Sequence, residues 1–457
     1  MDPYEARATL LERAAALESE DVAPEEALGR WLAHPITAPE PRPAYSNSAM
    51  DGFAVRTADT AAAQEGDPVR LQVVGEARVD EPYNPLLGPG EAVRINTGGP
   101  VPDGADAVVP VERTTAAGPA EGGGLPETVT VYQAPAPGAH IRPRGEELMP
   151  DDEVLPAGLR MNAAAVALLS TLGVAAAPVH RRPRVAAVVT GDEFARGARD
   201  ANGPLLRALG NRRELEPLGV EYAGDQAEEL AEVLHRLGHE ADVVLSTGGA
   251  SVGPHDSVGR AWERVGVRTL FWKVAVKPGK PVRGGVGPPE SDMASTLFLA
   301  LPGNPQSVLA GFEFFAEPLL RRLAGGQGDG AIHLRLPLAD DLPGNSRTRL
   351  LRGRVVDRDR ETAVEIPAVQ GSGMLLQAAR YPLVAEVEGS PEPLPAGTPV
   401  PVRAGVEGLV GRVWTPDPGD STDAQEDPTD PEEISTNPEE ASTEPWENPN
   451  EPKTEWE

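Results

Sequence analysis

RVAAVVTGDE, residues 184–193, carries five apolar side chains in succession and then closes on threonine, glycine and two acids. An apolar run without polar alternation predicts a strand buried on both faces, as in a parallel sheet covered by helices. Working outward, GPLLRALGNRREL (203–215) has helical periodicity and GVEYAGD (219–225) reads as a strand. QAEELAEVLHRLG (226–238) then reads as a helix, DVVLSTGG (242–249) as a strand and SVGRAWERVG (257–266) as a helix. TLFWKVAV (269–276) and STLFLALPG (295–303) add strands, and PQSVLAGFEFFAEPLLRRLAG (305–325) is a long closing helix. This alternation predicts a mainly parallel, doubly wound α/β domain over residues 179–326. Ligands of such sheets bind off the carboxyl ends of the strands. The loops TGDE, GD, STGGASVG, KPGKP and LPGNP are all expected at those ends.

The flanks read differently. Short alternating runs such as LQVVGEARV, EAVRINTGG, DAVVPVE and TVTVYQA, separated by glycine and proline, predict a β domain over residues 31–140. AAGPAEGGGLPE (116–127) reads as its exposed hairpin tip. That domain interrupts an N-terminal helical region, 1–30 and 141–178. The first part reads as two helices, the second as turns and an Ala-rich helix stopping at Gly173. Residues 327–414 return to short strands with Pro and Gly turns, as in a small β-barrel. The fold class is therefore α/β and β, multidomain.

Composition narrows the chemistry. The 457 residues contain no cysteine, which removes disulfides, thiolate nucleophiles and Cys-ligated metals. No pair among the seven histidines carries the intervening base of a helical metal site, so a bound metal is expected to be a hard cation held by carboxylates. Net charge is −30, and residues 416–457 supply 15 Asp and Glu against one Lys. Residues 415–457, rich in Pro, Ser, Thr and acid, are expected to be a disordered tail, since they cannot bury enough apolar surface to fold alone. A chain without a basic footprint is not expected to bind nucleic acid. Neither a signal peptide nor a membrane span is legible, so a cytoplasmic protein is expected.

Three of the four lysines, Lys273, Lys277 and Lys280, fall within FWKVAVKPGK (271–280), in a chain with 37 arginines. Lysine kept in such a background suggests a need for a compact, mobile charge facing an oxyanion. STGGASVG (246–253) supplies Gly248, Gly249, Ser251 and Gly253, small residues whose backbone N–H groups can line a phosphate. LPGNPQS (301–307) turns into a helix with Ser307 near its first turn. Glu193, Asp225 and Asp256 follow neighbouring strands and as a set could hold Mg²⁺ against a phosphoryl group. Taken singly, each Asp reads more readily as a helix cap than as a ligand. Asp51 and Thr97 sit in small-residue turns of the first β domain, where a purely local role is the simplest reading.

NSAMDGFAV, INTGGPVPDGADAVV, RPRGEEL, RPRVAAVVTGDE, STGGASVG, VAVKPGKP and LPGNPQS, in this order, resemble the motifs of the molybdopterin molybdenumtransferase family, which includes the gephyrin E domain. The resemblance runs from about residue 1 to 413. It implies Mg²⁺-dependent insertion of molybdate into adenylylated molybdopterin with release of AMP. It implies a homodimer whose site is shared between the α/β domain of one chain and the inserted β domain of the other, so that Asp51 and Thr97 reach the partner's site. Asp225, Asp256, Lys277 and Lys280 join them as implied catalytic residues, and Glu193, Asp225 and Asp256 as metal ligands. Binding residues implied with the glycine-rich loop are Pro281, Pro302, Gly303, Asn304, Ser307, Arg352 and Ser372. Molybdopterin adenylyltransferase and molybdoenzyme maturation factors are candidate partners. Rival readings are the adenylyltransferase itself and a scaffold of the same fold. The motifs depart from the family at Glu147, where an Asp is usual, and at Pro254-His255.

Overall fold

The computed structural model describes residues 1–116, 124–195, 197–249, 256–358, 361–371 and 373–404. They fall in one unit, Met1–Gly411, and the acidic tail and most of the expected hairpin tip lie outside the described residues. At its centre is a six-stranded sheet in the order Gly219–Ala223, Val185–Thr190, Val243–Thr247, Leu297–Leu301, Arg283–Val286, Arg268–Trp272. The first four strands are parallel and the last two run antiparallel to their neighbours.

All six residues of Val185–Thr190 are buried, because alternate side chains enter two different cores. Val185 and Ala187 pack with Leu206, Phe314 and Leu319 on one face. Ala186 and Val188 pack with Leu230, Leu234 and Trp262 on the other. Burying an aliphatic side chain this fully contributes roughly 1.5–3 kcal/mol, so two-sided burial explains why the strand tolerates no polar alternation.

KPGKP lies between Arg268–Trp272, which ends at the carboxyl edge of the parallel strands, and the antiparallel strand Arg283–Val286. Arg283 pairs with Ala300, so the strand starts at the edge where Leu297–Leu301 ends, and KPGKP arrives at the carboxyl edge of the parallel strands.

Residues 1–30 depart from the two-helix expectation. Only Pro3–Leu11 is helical, capped by the Asp2 side chain, and its Ala6 and Leu10 are buried in the α/β core. Ser19–Val22 is instead a strand paired with Ala177–His180. Cross-strand pairing with a segment more than 150 residues away outweighs the local preference of SEDVAPEEAL, as tertiary context commonly does. The Ala-rich helix is present as Ala163–Thr171.

A five-stranded sheet lies in the first β domain, in the order Ala107–Pro110, Gly52–Val55, Glu91–Ile95, Val69–Ala77, Thr128–Val131. The C-terminal strands Ile332–Pro337, Thr348–Arg358, Glu361–Glu365, Leu383–Val387 and Pro399–Ala404 form another sheet around Leu338, Val364, Ala385 and Val402. Val276–Lys277 joins this sheet, parallel to Thr348–Arg358, so the lysine loop stitches the α/β region to the C-terminal strands. Among the described residues no helix is long and apolar enough to cross a membrane.

Candidate active site

A cavity of about 580 Å³ opens at the carboxyl edge of the parallel strands. Glu193 and Asp225 line it from the loops after the first two strands, and Gly248 and Gly249 from the loop after Val243–Thr247. Lys280 and Pro281 enter from KPGKP, and Pro302, Gly303 and Asn304 from the loop after Leu297–Leu301. Thus residues far apart in the chain meet because one sheet aligns the ends of its strands.

Close backbone packing shapes this floor. Gly248 has φ +85°, and a Cβ there would collide with the side chain and carbonyl of Thr190. Thr190 in turn donates its hydroxyl to the Thr247 carbonyl at 3.1 Å, joining two adjacent strand ends. A Cβ on Gly303 would sit 3.4 Å from the Gly248 Cα, so the two glycine loops approach backbone to backbone.

The acids do not behave as one set. Asp225 exchanges backbone hydrogen bonds with Asp192: Asp225 N–H donates to Asp192 Oδ1 at 3.0 Å, and Asp192 N–H to Asp225 Oδ2 at 3.4 Å. Its carboxylate keeps further acceptor positions, and both Asp225 and Glu193 are exposed. Asp256 is differently employed. It accepts from the Gly259 N–H at 2.9 Å as the cap of helix Ser257–Val265, and it pairs with the buried Arg283 at 2.5 Å. Arg283 is held in turn over the rings of Trp262 and Trp272. Among the described residues no group of three or more His, Cys, Asp or Glu is arranged to hold a metal ion. His235 and His239 approach within 4.8 Å on the exposed face of helix Ala227–Glu240, without a third such ligand among the described residues.

The remaining expected residues are dispersed. Lys277 is exposed in the strand pair with Thr348–Arg349 and does not line the cavity. Lys273 lies over the Trp272 ring, its ammonium 3.9 Å from the centroid. Ser307 is buried in the first turn of helix Pro305–Gly311. Arg352, also buried, forms a two-point ion pair with Glu313 at 3.1 and 2.7 Å. Asp51 Oδ1 accepts from the Thr97 N–H at 2.6 Å, which locks the two turns of the first β domain together. Glu147 pairs with Arg42 at 2.7 Å. Ser251, Gly253 and Ser372 lie outside the described residues.

Sequence reasoning missed Asn202. It is 6% exposed, lines the cavity, and donates Nδ2–H to the Gly303 carbonyl at 2.8 Å, while its Oδ1 is buried without a partner. A buried acceptor left open at a cavity wall invites an N–H or O–H donor from a ligand. Nothing in ANGPLL sets this asparagine apart from an ordinary turn before a helix. Arg349, in register with Lys277, was also missed; its Nε and Nη2 are buried without partners, and burial pushes its guanidinium below the ordinary value.

Comparison with known proteins follows these landmarks. Residues 1–173 match the model of the MoeA N-terminal region (domain I and II), and residues 186–322 that of a probable molybdopterin binding domain. Molybdopterin molybdenumtransferase 2 of Mycobacterium tuberculosis is 34% identical over 352 residues, 74% of this chain and 84% of the relative. Molybdopterin molybdenumtransferase of Bacillus subtilis is 33% identical over 347 residues, 74% of this chain and 78% of the relative. The crystal structure of the molybdopterin biosynthesis MoeA protein from Pyrococcus horikoshii OT3 superposes with a TM-score of 0.72 at 25% identity, covering 88% of this chain and 99% of that one.

Proposed function

Since the chain belongs to the molybdopterin molybdenumtransferase family, we propose that it inserts molybdate into adenylylated molybdopterin and releases AMP. The observation that carries this reading is the meeting of Lys280, Glu193 and Asp225 with two closely packed glycine loops in one cavity at the parallel strand ends. A phosphoanhydride and a tetrahedral oxyanion both need a cation of small radius, and Lys280 is a mobile one. The glycine loops let the substrate approach main chain rather than side chains. Phe194, Pro281 and Pro302 supply apolar walls. Asn202 Oδ1, fixed by its bond to Gly303, is placed to accept an N–H of the bound substrate and so to orient it.

The donor set fits Mg²⁺ in a reduced form. Mg²⁺ is usually held by one or two carboxylates together with water and substrate phosphate oxygens. Glu193 and Asp225 meet that requirement, whereas Asp256 is committed to its cap and to Arg283. Bound there, the ion would neutralise and polarise phosphoryl oxygens of the substrate. In this reading Asp256 acts indirectly, by holding the helix that follows the glycine-rich loop.

The proposal includes a homodimer. Among the described residues the cavity is lined from within residues 190–304, with none from the inserted β domain of the same chain. The locked Asp51–Thr97 turns are then available to a partner's cavity. The experiment is AMP release from adenylylated molybdopterin with Mg²⁺ and molybdate, run beside Lys280→Ala. Molybdate-stimulated release that collapses in the variant is expected. Tight substrate binding without AMP release in either protein would overturn the reading in favour of a scaffold.

A further inference from the structure

Away from the strand ends lies a larger cavity, about 1060 Å³, between helix Pro3–Leu11, the end of helix Glu317–Leu323 and the loop GGQGDG, residues 325–330. Arg7, Arg160, Arg321 and Arg322 line it, against a single acid, Asp329. Arg160 is paired with Glu214 at 3.0 Å, so the local excess is two positive charges, conspicuous in a chain of net charge −30. The function discussed above makes no use of any of these arginines.

Arg160 donates Nε to the Gly29 carbonyl and Nη2 to Glu214, both at 3.0 Å, whereas the other three arginines keep open N–H groups. Arg321 and Arg322 each commit only Nε, to the carbonyls of Gln327 at 2.7 Å and Ala14 at 2.8 Å. Their Nη groups make no hydrogen bond to any described residue. Arg7 Nη1 is buried without a hydrogen-bond acceptor, its ion-pair partner Asp329 standing 3.8 Å away. Asp329 is itself engaged by His333 at 2.9 Å and by Arg403 at 3.3 Å. Of these open groups Arg7 Nη1 is the buried one, and a buried guanidinium N–H without an acceptor is costly, whereas Arg322 is exposed.

The guanidinium groups are also held rigidly. Arg160 and Arg321 both lie over the ring of Trp31, at 5.2 and 4.8 Å from its centroid. Arg7 lies over the Phe314 ring at 4.5 Å. Stacking fixes each planar fork, so an arriving anion need not order the side chains first. Burial, and then the neighbouring Arg403, push the Arg7 guanidinium below its ordinary value; burial, and then Arg160, do the same to Arg321. In both cases burial is the larger cause and the neighbouring cation the smaller one. Leu11 and Ala14 add an apolar wall, which suits an organic group attached to the anion.

We propose that this arginine-lined cavity binds the phosphate group of a small metabolite, at a site separate from the one that contains Lys280. Guanidinium forks match phosphate oxygens in pairs, and the volume exceeds what inorganic phosphate alone would fill.

Titration calorimetry of the full chain with inorganic phosphate and with pyrophosphate, in chloride buffer of constant ionic strength, tests this. The Lys280→Ala chain is titrated in parallel to silence the strand-end cavity. Binding is expected to persist in Lys280→Ala and to weaken about 10-fold or more in Arg7→Gln and in Arg321→Gln. Because Arg321 also packs on Trp31, the Arg7→Gln chain decides the matter if Arg321→Gln fails to fold. Trp31 emission offers a second readout, shifting with phosphate in the Lys280→Ala chain. No heat beyond the chloride control would overturn the proposal. So would binding lost in Lys280→Ala and unchanged in Arg7→Gln, which would assign all phosphate affinity to the strand-end cavity.

Discussion

Asp256 shows how one side chain can carry a motif's resemblance and still do something other than the motif suggests. Its carboxylate is spent on the Gly259 N–H and on Arg283, a residue only 7% exposed. Replacing it by Asn leaves Arg283 without a counter-charge, and the chain should lose about 1–3 kcal/mol of stability, read as a lower urea midpoint. A variant of unchanged stability that has lost only Mg²⁺-dependent turnover would return Asp256 to the metal. Asn202 makes the opposite case, a plain residue given a specific place by the fold. Asn202→Ala should raise the substrate's dissociation constant about 10-fold, corresponding to one hydrogen bond of roughly 1.4 kcal/mol. An unchanged constant would mean that Oδ1 meets no ligand.

Between segments, tight backbone contacts and one partly buried ion pair set the limits. Gly52, in strand Gly52–Val55, faces the Val109 carbonyl so closely that any Cβ would overlap it. Gly52→Ala should cost ~1–3 kcal/mol as the strands are forced apart, measurable as a fall in Tm. Asp242 stands before strand Val243–Thr247 and receives two bonds at 2.7 Å from Arg181 and one from the Arg184 N–H. Burial alone would raise its carboxyl, but these donors prevail and hold it below the usual carboxylate value. The folded value is the lower one. The resulting stability is therefore complete above about pH 4, where the unfolded carboxyl ionises, and drains away as pH falls through the folded value. Asp242→Asn should lower the midpoint at neutral pH and flatten the acid limb of a stability–pH curve. An acid limb identical to the parent's would show that the pair does not contribute.

For the chain as a whole, residues 416–457 hold nearly half of the net charge yet offer few apolar side chains. Removing them should leave kcat for AMP release within about twofold, because the described residues that line the cavity all fall between 190 and 304. A large loss of kcat would give that segment a catalytic role.

Legibility followed the range of the forces involved. RVAAVVTGDE announced its strand because burial on both faces leaves a local apolar signature, and each polar loop followed from where a strand must end. Seven motifs in order were enough to recognise the family. Residues 12–30 were misread because their strand exists only through pairing with Ala177–His180, a partner absent from any local window. The commitment of Asp256 to Arg283 and of Arg352 to Glu313, the open acceptor on Asn202 and the arginines around Trp31 were likewise invisible beforehand. Periodicity and loop chemistry are properties of neighbours in the chain, so sequence alone reveals them. Which charges find partners and which stay open depends on segments well separated in the chain meeting in three dimensions, and only the packed structure decides that.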